Sequence, residues 1–269
     1  MGISYGSVRL WASIGYAVMG AVYTYLLAGH SVYIAYIMYG IFALPAILLA
    51  LSICTVPLSA EMKVSGRLRL RDLPFRQILC PVIIAFAAFT CIQSAAESGK
   101  VTFFIYILND YGFGSEYLGV FMAVSAFCEV PTLLLSKRVQ EKTGLLGCML
   151  ICLILKIFES LLYVCGNSLL FIVIGQVTKG LCAGLLLSSR IQFLYHIAPK
   201  GLAATTNTLI SSVSSVCSIV IMSFSGFLME SIGVRYFYML IGTAEAIAFV
   251  LLLVTRHISK KADVQAMEK

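Results

Sequence analysis

Residues 145–165, LLGCMLICLILKIFESLLYVC, decide the fold class of this protein. They form an apolar run of the length that crosses the hydrocarbon core of a membrane as a helix, which rises about 1.5 Å per residue. Lys156 and Glu159 interrupt the run, and a charged side chain at a helix centre costs about 2.5–3.5 kcal/mol on insertion scales. Such a helix needs protein or water against its charged face. The stretch therefore predicts a bundle of membrane helices with charges in its interior.

The composition extends this prediction to the whole chain. Of its 269 residues, 60% are hydrophobic and only 12% are charged, and the mean hydropathy is +0.97. A water-soluble globule has roughly a quarter of its residues charged. The apolar residues form uninterrupted blocks of about 18–25, without the alternation that a transmembrane β-barrel requires. The fold class is thus predicted to be an all-α membrane protein.

The apolar blocks predict about eight transmembrane helices. They cover approximately 10–28, 33–55, 77–108, 117–135, 145–165, 169–194, 203–228 and 236–255. The third is too long for a straight crossing, and its Pro81 and Gly99 predict a bent or broken helix.

Basic residues between these helices predict the orientation. Lysine and arginine are concentrated at 56–76, at 137–142 and in the tail 257–269, whereas Arg235 lies on the opposite side. By the positive-inside rule, both termini of this multi-pass protein face the cytoplasm, and the plasma membrane is the expected location. Anionic lipid head groups account for the net charge of +7, so no nucleic-acid partner is expected.

Neither a cofactor nor enzymatic activity is expected. The nine cysteines lie inside or at the ends of apolar blocks, and no pair combines metal-ligand spacing with a nearby histidine. No nucleophile, metal cluster or set of histidine and aspartate stands at a membrane interface, as a membrane enzyme would need. The loops are also too short to hold the soluble domain of a receptor.

Acidic and basic residues fall within the predicted spans and must face protein, water or one another. They are Glu97, Lys100, Glu129, Lys156, Glu159, Lys179 and Glu245. Glu97 and Lys100 are three positions apart, as are Lys156 and Glu159, so each pair shares one helix face. Two interpretations stay open for these pairs: mutual neutralisation that eases insertion, or a functional site.

Glu129 has no basic residue three or four positions away. An intramembrane carboxyl of this kind is typical of a proton carrier, and this interpretation is favoured over a structural one. Lys179 shares its helix with Gln176, and it either pairs with Glu129 or binds an anionic group of a solute. Gly180 and Gly184 predict close contact between this helix and a neighbour.

The helix predicted at 203–228 is rich in small polar residues. Asn207, Ser211, Ser214 and Ser218 recur at about one-turn spacing and form a stripe. The stripe either lines an aqueous cavity or consists of hydroxyls that bond to their own backbone. All three histidines lie outside the predicted spans, so any coupled protons must be carried by carboxylates.

Three motifs stand at residues 5–16, YGSVRLWASIGY, at 129–131 and at 179–205. They resemble motifs of the lactose-permease-like branch of the major facilitator superfamily. The first is similar to the Y-G-x-x-R-L-W-G-S-I-G-F that opens that branch's fifth helix. Glu129, Val130 and Pro131 resemble its E-(I or V)-P in the eighth helix, and 179–205 resembles a later H-G and A-P-x-x-L-R-A-T pattern. Lys179 stands where that branch often has histidine. The G-P-x-x-G-G of drug antiporters is missing from the fifth-helix match.

The resemblance implies a twelve-helix transporter that works by alternating access, of which this chain holds helices five to twelve. Residues 1–55 would then be the last two helices of the N-terminal half, 56–76 a cytoplasmic interdomain loop, 77–256 the C-terminal six-helix half and 257–269 a cytoplasmic tail. The first four helices would be absent. An upstream segment or another polypeptide would have to supply them.

The function hypothesis is proton-coupled symport of a small polar solute, such as a sugar, a nucleoside or an aromatic acid. The partners are that solute, protons and the lipid bilayer. The candidate solute-binding residues are Glu97, Lys100, Gln176, Lys179 and Asn207, and the candidate proton-coupling residues are Glu129, Lys156 and Glu159. The alternatives are a proton-coupled efflux antiporter and a non-transporting membrane protein.

Overall fold

A computed structural model describes residues 11–16, 18–20, 22, 25, 33–52, 80–199 and 201–267. The first half of the motif at 5–16 and the segment 56–76, which is predicted to be an interdomain loop, lie outside the described residues. Within the described part, the regular elements are helices, which confirms the all-α fold class.

The helices are α1 (Tyr33–Ser52), α2 (Pro81–Thr102), α3 (Phe104–Asp110), α4 (Leu118–Cys165), α5 (Leu169–Ile197), α6 (Ala203–Ile232) and α7 (Val234–Met267), with one 3-10 turn at Ser115–Tyr117. In the described part, five helices are long and apolar enough to cross a membrane: α2, α4, α5, α6 and α7. A shorter apolar stretch lies within α1, at Tyr36–Ser52. Large apolar side chains such as Phe127, Phe224 and Phe227 are exposed, as is typical of surfaces that face lipid.

Helix α4 bends at Gly144, where φ is 71° and ψ is 164°. Only glycine adopts this backbone conformation without strain. The bend divides α4 into a first arm, 118–143, and a second arm, 145–165. The sequence predicted a loop between helices at 117–135 and 145–165, but the first arm stays helical up to the bend. Exposed polar residues beyond the membrane can continue a helix because water solvates that part of its surface.

The predicted break in the long third helix is confirmed and lies at Phe103, between α2 and α3. The backbone N–H of Phe103 donates a last helical hydrogen bond of 3.0 Å to the Gly99 carbonyl. Pro81 occupies the first turn of α2, where its missing N–H removes no helical bond. Pro81 therefore starts the helix and does not bend it.

Two apolar clusters form the core, and charged residues lie between them. The first cluster includes Phe86, Phe89, Leu153, Cys182 and Ala248. The second includes Phe103, Tyr163, Ile172, Tyr238 and Ile241. Along α2, the second arm of α4, α5 and α7, charged positions fall between the members of the two clusters. We call these residues the charged layer: Glu97, Lys100, Lys156, Glu159, Lys179 and Glu245.

The first arm of α4 packs closely against α5 at two glycines, as the sequence predicted. A Cβ on Gly180 would overlap the backbone oxygen of Ser125, and it would lie 2.8 Å from the Cβ of Cys128. A Cβ on Gly184 would lie 2.8 Å from the Cγ of Leu133. These glycines let the two backbones approach and so position the side chains between them.

We expect Gly180→Val to destabilise this interface, because the added side chain would meet backbone atoms that cannot move aside. Overpacking of this kind costs about 1–3 kcal/mol or more. Melting of the detergent-purified protein, followed by size-exclusion chromatography, measures the effect. The matched control is Gly226→Val in α6, where an added Cβ meets no atom within 4 Å. Equal melting temperatures for the two variants would contradict the proposed contact.

Candidate functional site

The charged layer is held together by ion pairs between helices. Lys156 on α4 pairs with Glu97 on α2. The Nζ of Lys100 lies 3.1 Å from Oε2 of Glu159 and 2.9 Å from Oε1 of Glu245. The sequence placed both members of each pair on one helix face, whereas the structure pairs them across helices. Side chains one turn apart both point at the neighbouring helix, so their closest partners belong to that neighbour.

Further hydrogen bonds complete the surroundings of Lys100. Its Nζ also donates to the carbonyl of Lys156 at 3.0 Å, and Ser160 donates to Oε2 of Glu245 at 3.0 Å. The hydroxyl of Tyr238 donates to the carbonyl of Lys100 at 3.0 Å. Lys100 and Glu245 are only 2% and 1% exposed. Such pairing offsets the cost of burying these charges, so this part of the layer ties α2, α4 and α7 together.

Two polar groups on α5 are less completely paired. Gln176 donates to the hydroxyl of Tyr163 at 3.0 Å, but its Oε1 has no hydrogen-bond partner among the described residues. The Nζ of Lys179 lies 3.9 Å from the sulfur of Met122 and 6.0 Å from the ring centre of Phe104. Both contacts of Lys179 are weak for a buried ammonium, because a thioether is a poor acceptor.

Three neighbouring cavities open beside the charged layer. The central cavity, of about 330 Å³, is lined by Gln93, Ser94, Glu97, Ser98, Glu129, Lys156, Ala183, Leu186, Leu187 and Arg190. The lysine cavity, of about 400 Å³, is lined by Ala12, Ser13, Tyr16, Val101, Met122, Ser125, Ala126, Glu129, Lys179 and Ala183. The serine cavity, of about 390 Å³, is lined by Thr90, Ser94, Ser98, Arg190, Ser211, Ser214, Ser215, Ser218 and Ile219. Glu129 is common to the central and lysine cavities.

The structure brings most of the sequence-predicted site residues together. Those that line the central or lysine cavity are Glu97, Glu129, Lys156 and Lys179. Three more, Lys100, Glu159 and Gln176, are buried within the same region of the bundle. Asn207 lies apart from them and lines a fourth cavity, of about 760 Å³, with Tyr195 and His196.

Sequence reasoning missed Arg190, which lines both the central and the serine cavity. It falls within the span predicted at 169–194, so the rule that drew attention to the other intramembrane charges would have found it. Part of the predicted polar stripe, Ser211, Ser214 and Ser218, does line the serine cavity.

Long apolar helices with paired charges in the interior of the bundle define the class of multi-pass membrane proteins. Residues 2–240 match the model of the MFS_1 like family, and the chain belongs to this family within the major facilitator superfamily. It is 25% identical over 268 residues to the maltose permease of Geobacillus stearothermophilus, covering 95% of this chain and 64% of that protein. It is 24% identical over 256 residues to the uncharacterized transporter YwbF of Bacillus subtilis strain 168, covering 93% of this chain and 62% of that protein. The chain thus spans less than two thirds of the length of these relatives.

Proposed function

We propose that the protein is a proton-coupled symporter that moves a small polar solute across the membrane by alternating access. The observation that carries this proposal is the position of Glu129, which lines both the central and the lysine cavity. A carboxyl group at that junction is reached both by a solute in the lysine cavity and by water in the central one. One group can therefore sense solute and exchange a proton.

Protonation of Glu129 supports the coupling because it removes a charge from a site that must become occluded. An ionised carboxylate enclosed without water is costly, whereas the neutral acid is far less so. The loaded protein can then close around the solute and open on the other side. On that side the proton is released, which resets the site.

The other candidate residues take supporting roles in this proposal. Glu97 and Lys156 face the central cavity as a pair, and Glu129 lines the same cavity. Lys100 and Glu159 form an ion pair that connects α2 and α4. Gln176 donates a hydrogen bond to Tyr163 and so fixes its orientation. Asn207 would contact solute only along a second, separate path.

A hydroxylated solute suits the lining of the lysine cavity. Ser13, Tyr16 and Ser125 supply hydroxyl groups there, and Lys179 supplies an ammonium. The cavity volume of about 400 Å³ lies in the range of small-molecule sites. The name of the maltose permease relative makes maltose a first solute to test.

We expect Glu129→Gln to lose proton-driven accumulation while keeping exchange of solute across the membrane. Glutamine resembles the protonated acid, so the loaded protein still closes and reopens but no proton is released. A gradient of one pH unit, worth about 1.4 kcal/mol per proton, sustains about tenfold accumulation. In proteoliposomes with this variant, the internal solute concentration should rise only to the external concentration. Radiolabelled solute and counterflow assays measure both quantities.

Glu116→Gln is the matched control, because Glu116 is an exposed acid in the turn before α4. It should accumulate solute like the unmodified protein. Unchanged accumulation by Glu129→Gln would show that another group carries the proton.

A further inference from the structure

We infer that the solute carries a carboxylate, that Lys179 binds it, and that one proton moves with it so that no net charge crosses the membrane. This inference rests on the proposed function and names the solute class of the same site. It depends on three observations: the contacts of Lys179, the lining of its cavity and the balance of buried charge.

The contacts of Lys179 differ from those of the other buried lysines. Lys100 and Lys156 each hold a carboxylate directly. None of the ion pairs that the structure shows within the described residues includes Lys179, although this side chain is only 9% exposed. Its observed contacts are a thioether and an aromatic ring. An ammonium has three donors, so a buried one needs acceptors that these contacts do not supply.

The lining of the lysine cavity indicates what would supply those acceptors. Lys179 shares the cavity with the hydroxyl-bearing residues Ser125 and Tyr16 and with Glu129. A carboxylate placed here accepts charge-assisted hydrogen bonds from Lys179, and the hydroxyls bind the polar body of the solute. A neutral solute could accept hydrogen bonds from Lys179 but would bring no opposite charge to it.

The charged residues of the layer and cavities constrain how many protons move with each solute molecule. Among the described residues of the layer and these cavities, four acids and four bases are present: the acids are Glu97, Glu129, Glu159 and Glu245, and the bases are Lys100, Lys156, Lys179 and Arg190. A proton alone would leave this set with a positive charge, and an anion alone would leave it negative. Loading the two together keeps it balanced, so an enclosed site favours joint loading.

The test compares glucuronate with glucose, which differ only in a carboxylate against a hydroxymethyl group. Proteoliposomes contain a fluorescent pH dye, and the pH gradient and the membrane potential are set independently with potassium and valinomycin. We expect a pH gradient to drive glucuronate uptake with internal acidification, at least about tenfold faster than glucose. A potential of about 100 mV should change the rate by less than about twofold. 3-Phenylpropionate serves as a second carboxylate with an unrelated body.

The variants separate charge recognition from folding. Lys179→Gln should reduce uptake of the carboxylate by about tenfold or more, the effect of losing one charge-assisted hydrogen bond. Lys179→Arg should retain most of the uptake, because it keeps the positive charge. Lys142→Gln, at an exposed lysine of the first arm of α4, should have no effect. All variants must elute as a single species in size-exclusion chromatography.

The possible outcomes distinguish this inference from the proposed function. Proton-coupled uptake of glucose or maltose that is unaffected by Lys179→Gln would overturn the inference and leave symport intact. Carboxylate uptake without internal acidification would overturn symport itself. Uptake accelerated by membrane potential would overturn the electroneutral stoichiometry. If neither carboxylate is taken up, the inferred solute class is wrong.

Discussion

Lys100→Met is expected to prevent recovery of folded protein. The ammonium of Lys100 lies between Glu159 and Glu245 at distances of 3.1 and 2.9 Å. Its removal leaves two carboxylates in a region that water does not reach. Breaking a buried ion pair on one side costs about 3–5 kcal/mol, a large part of the total stability of about 5–15 kcal/mol of an ordinary domain. The measurement is the monodisperse fraction in size-exclusion chromatography after solubilisation in a mild detergent.

A double variant tests whether the effect of Lys100→Met is due to the loss of its charge. Lys100→Met combined with Glu245→Gln removes one base and one acid, so the layer keeps its original net charge. The glutamine oxygen can still accept the hydrogen bond from Ser160. We expect the double variant to recover part of the folded fraction. Lys142→Met, at an exposed lysine, is the matched control. A monodisperse Lys100→Met protein would show that the three-residue pairing contributes little to stability.

The second large effect is expected at the pair of Lys156 and Glu97. Lys156 is 2% exposed, whereas Glu97 is 30% exposed toward the central cavity. Lys156→Glu would place a third carboxylate beside Glu97 and Glu159, and the resulting repulsion should separate α2 from α4. Reversing both charges, with Glu97→Lys and Lys156→Glu together, restores an opposite pair. We expect the double variant to melt at a higher temperature than Lys156→Glu alone.

The interaction free energy from this double-mutant cycle should be about 0.5–3 kcal/mol, as for other residues in direct contact. The comparison pair is Glu116→Lys with Lys142→Glu, at two exposed positions. We expect the effects of these two substitutions on stability to be additive. Additivity at Glu97 and Lys156 as well would mean that their pairing is not energetically coupled.

The residues of the charged layer were predictable from the sequence, but their partners were not. A charged residue within an apolar block can be recognised from the sequence alone. It must face protein, water or an opposite charge, because its insertion into lipid costs free energy. The choice of partner depends on how each helix is rotated about its axis and which neighbour it meets. Lys100 therefore pairs with Glu159 and Glu245, which are far away in sequence, and not with Glu97 on its own helix.

The surroundings of the polar stripe also could not be predicted from the sequence. Helical periodicity placed Asn207 and Ser214 on one face, but packing against α2 and α5 divides that face between two cavities.

The bend at Gly144 could not be located from the sequence for a different reason. A run of exposed charged residues is compatible with both a loop and a helix in water. Only the conformation of the glycine, with φ of 71°, locates the turn.

Coupling of a proton to the solute by Glu129 is measured as the proton entry that accompanies solute uptake. Proteoliposomes loaded with a pH dye receive maltose or glucuronate from outside in the absence of a pH gradient. We expect the transported solute to acidify the interior of vesicles that contain the unmodified protein. Vesicles with Glu129→Gln should take up the same solute with no change in internal pH. Equal acidification by the two proteins would contradict coupling by Glu129.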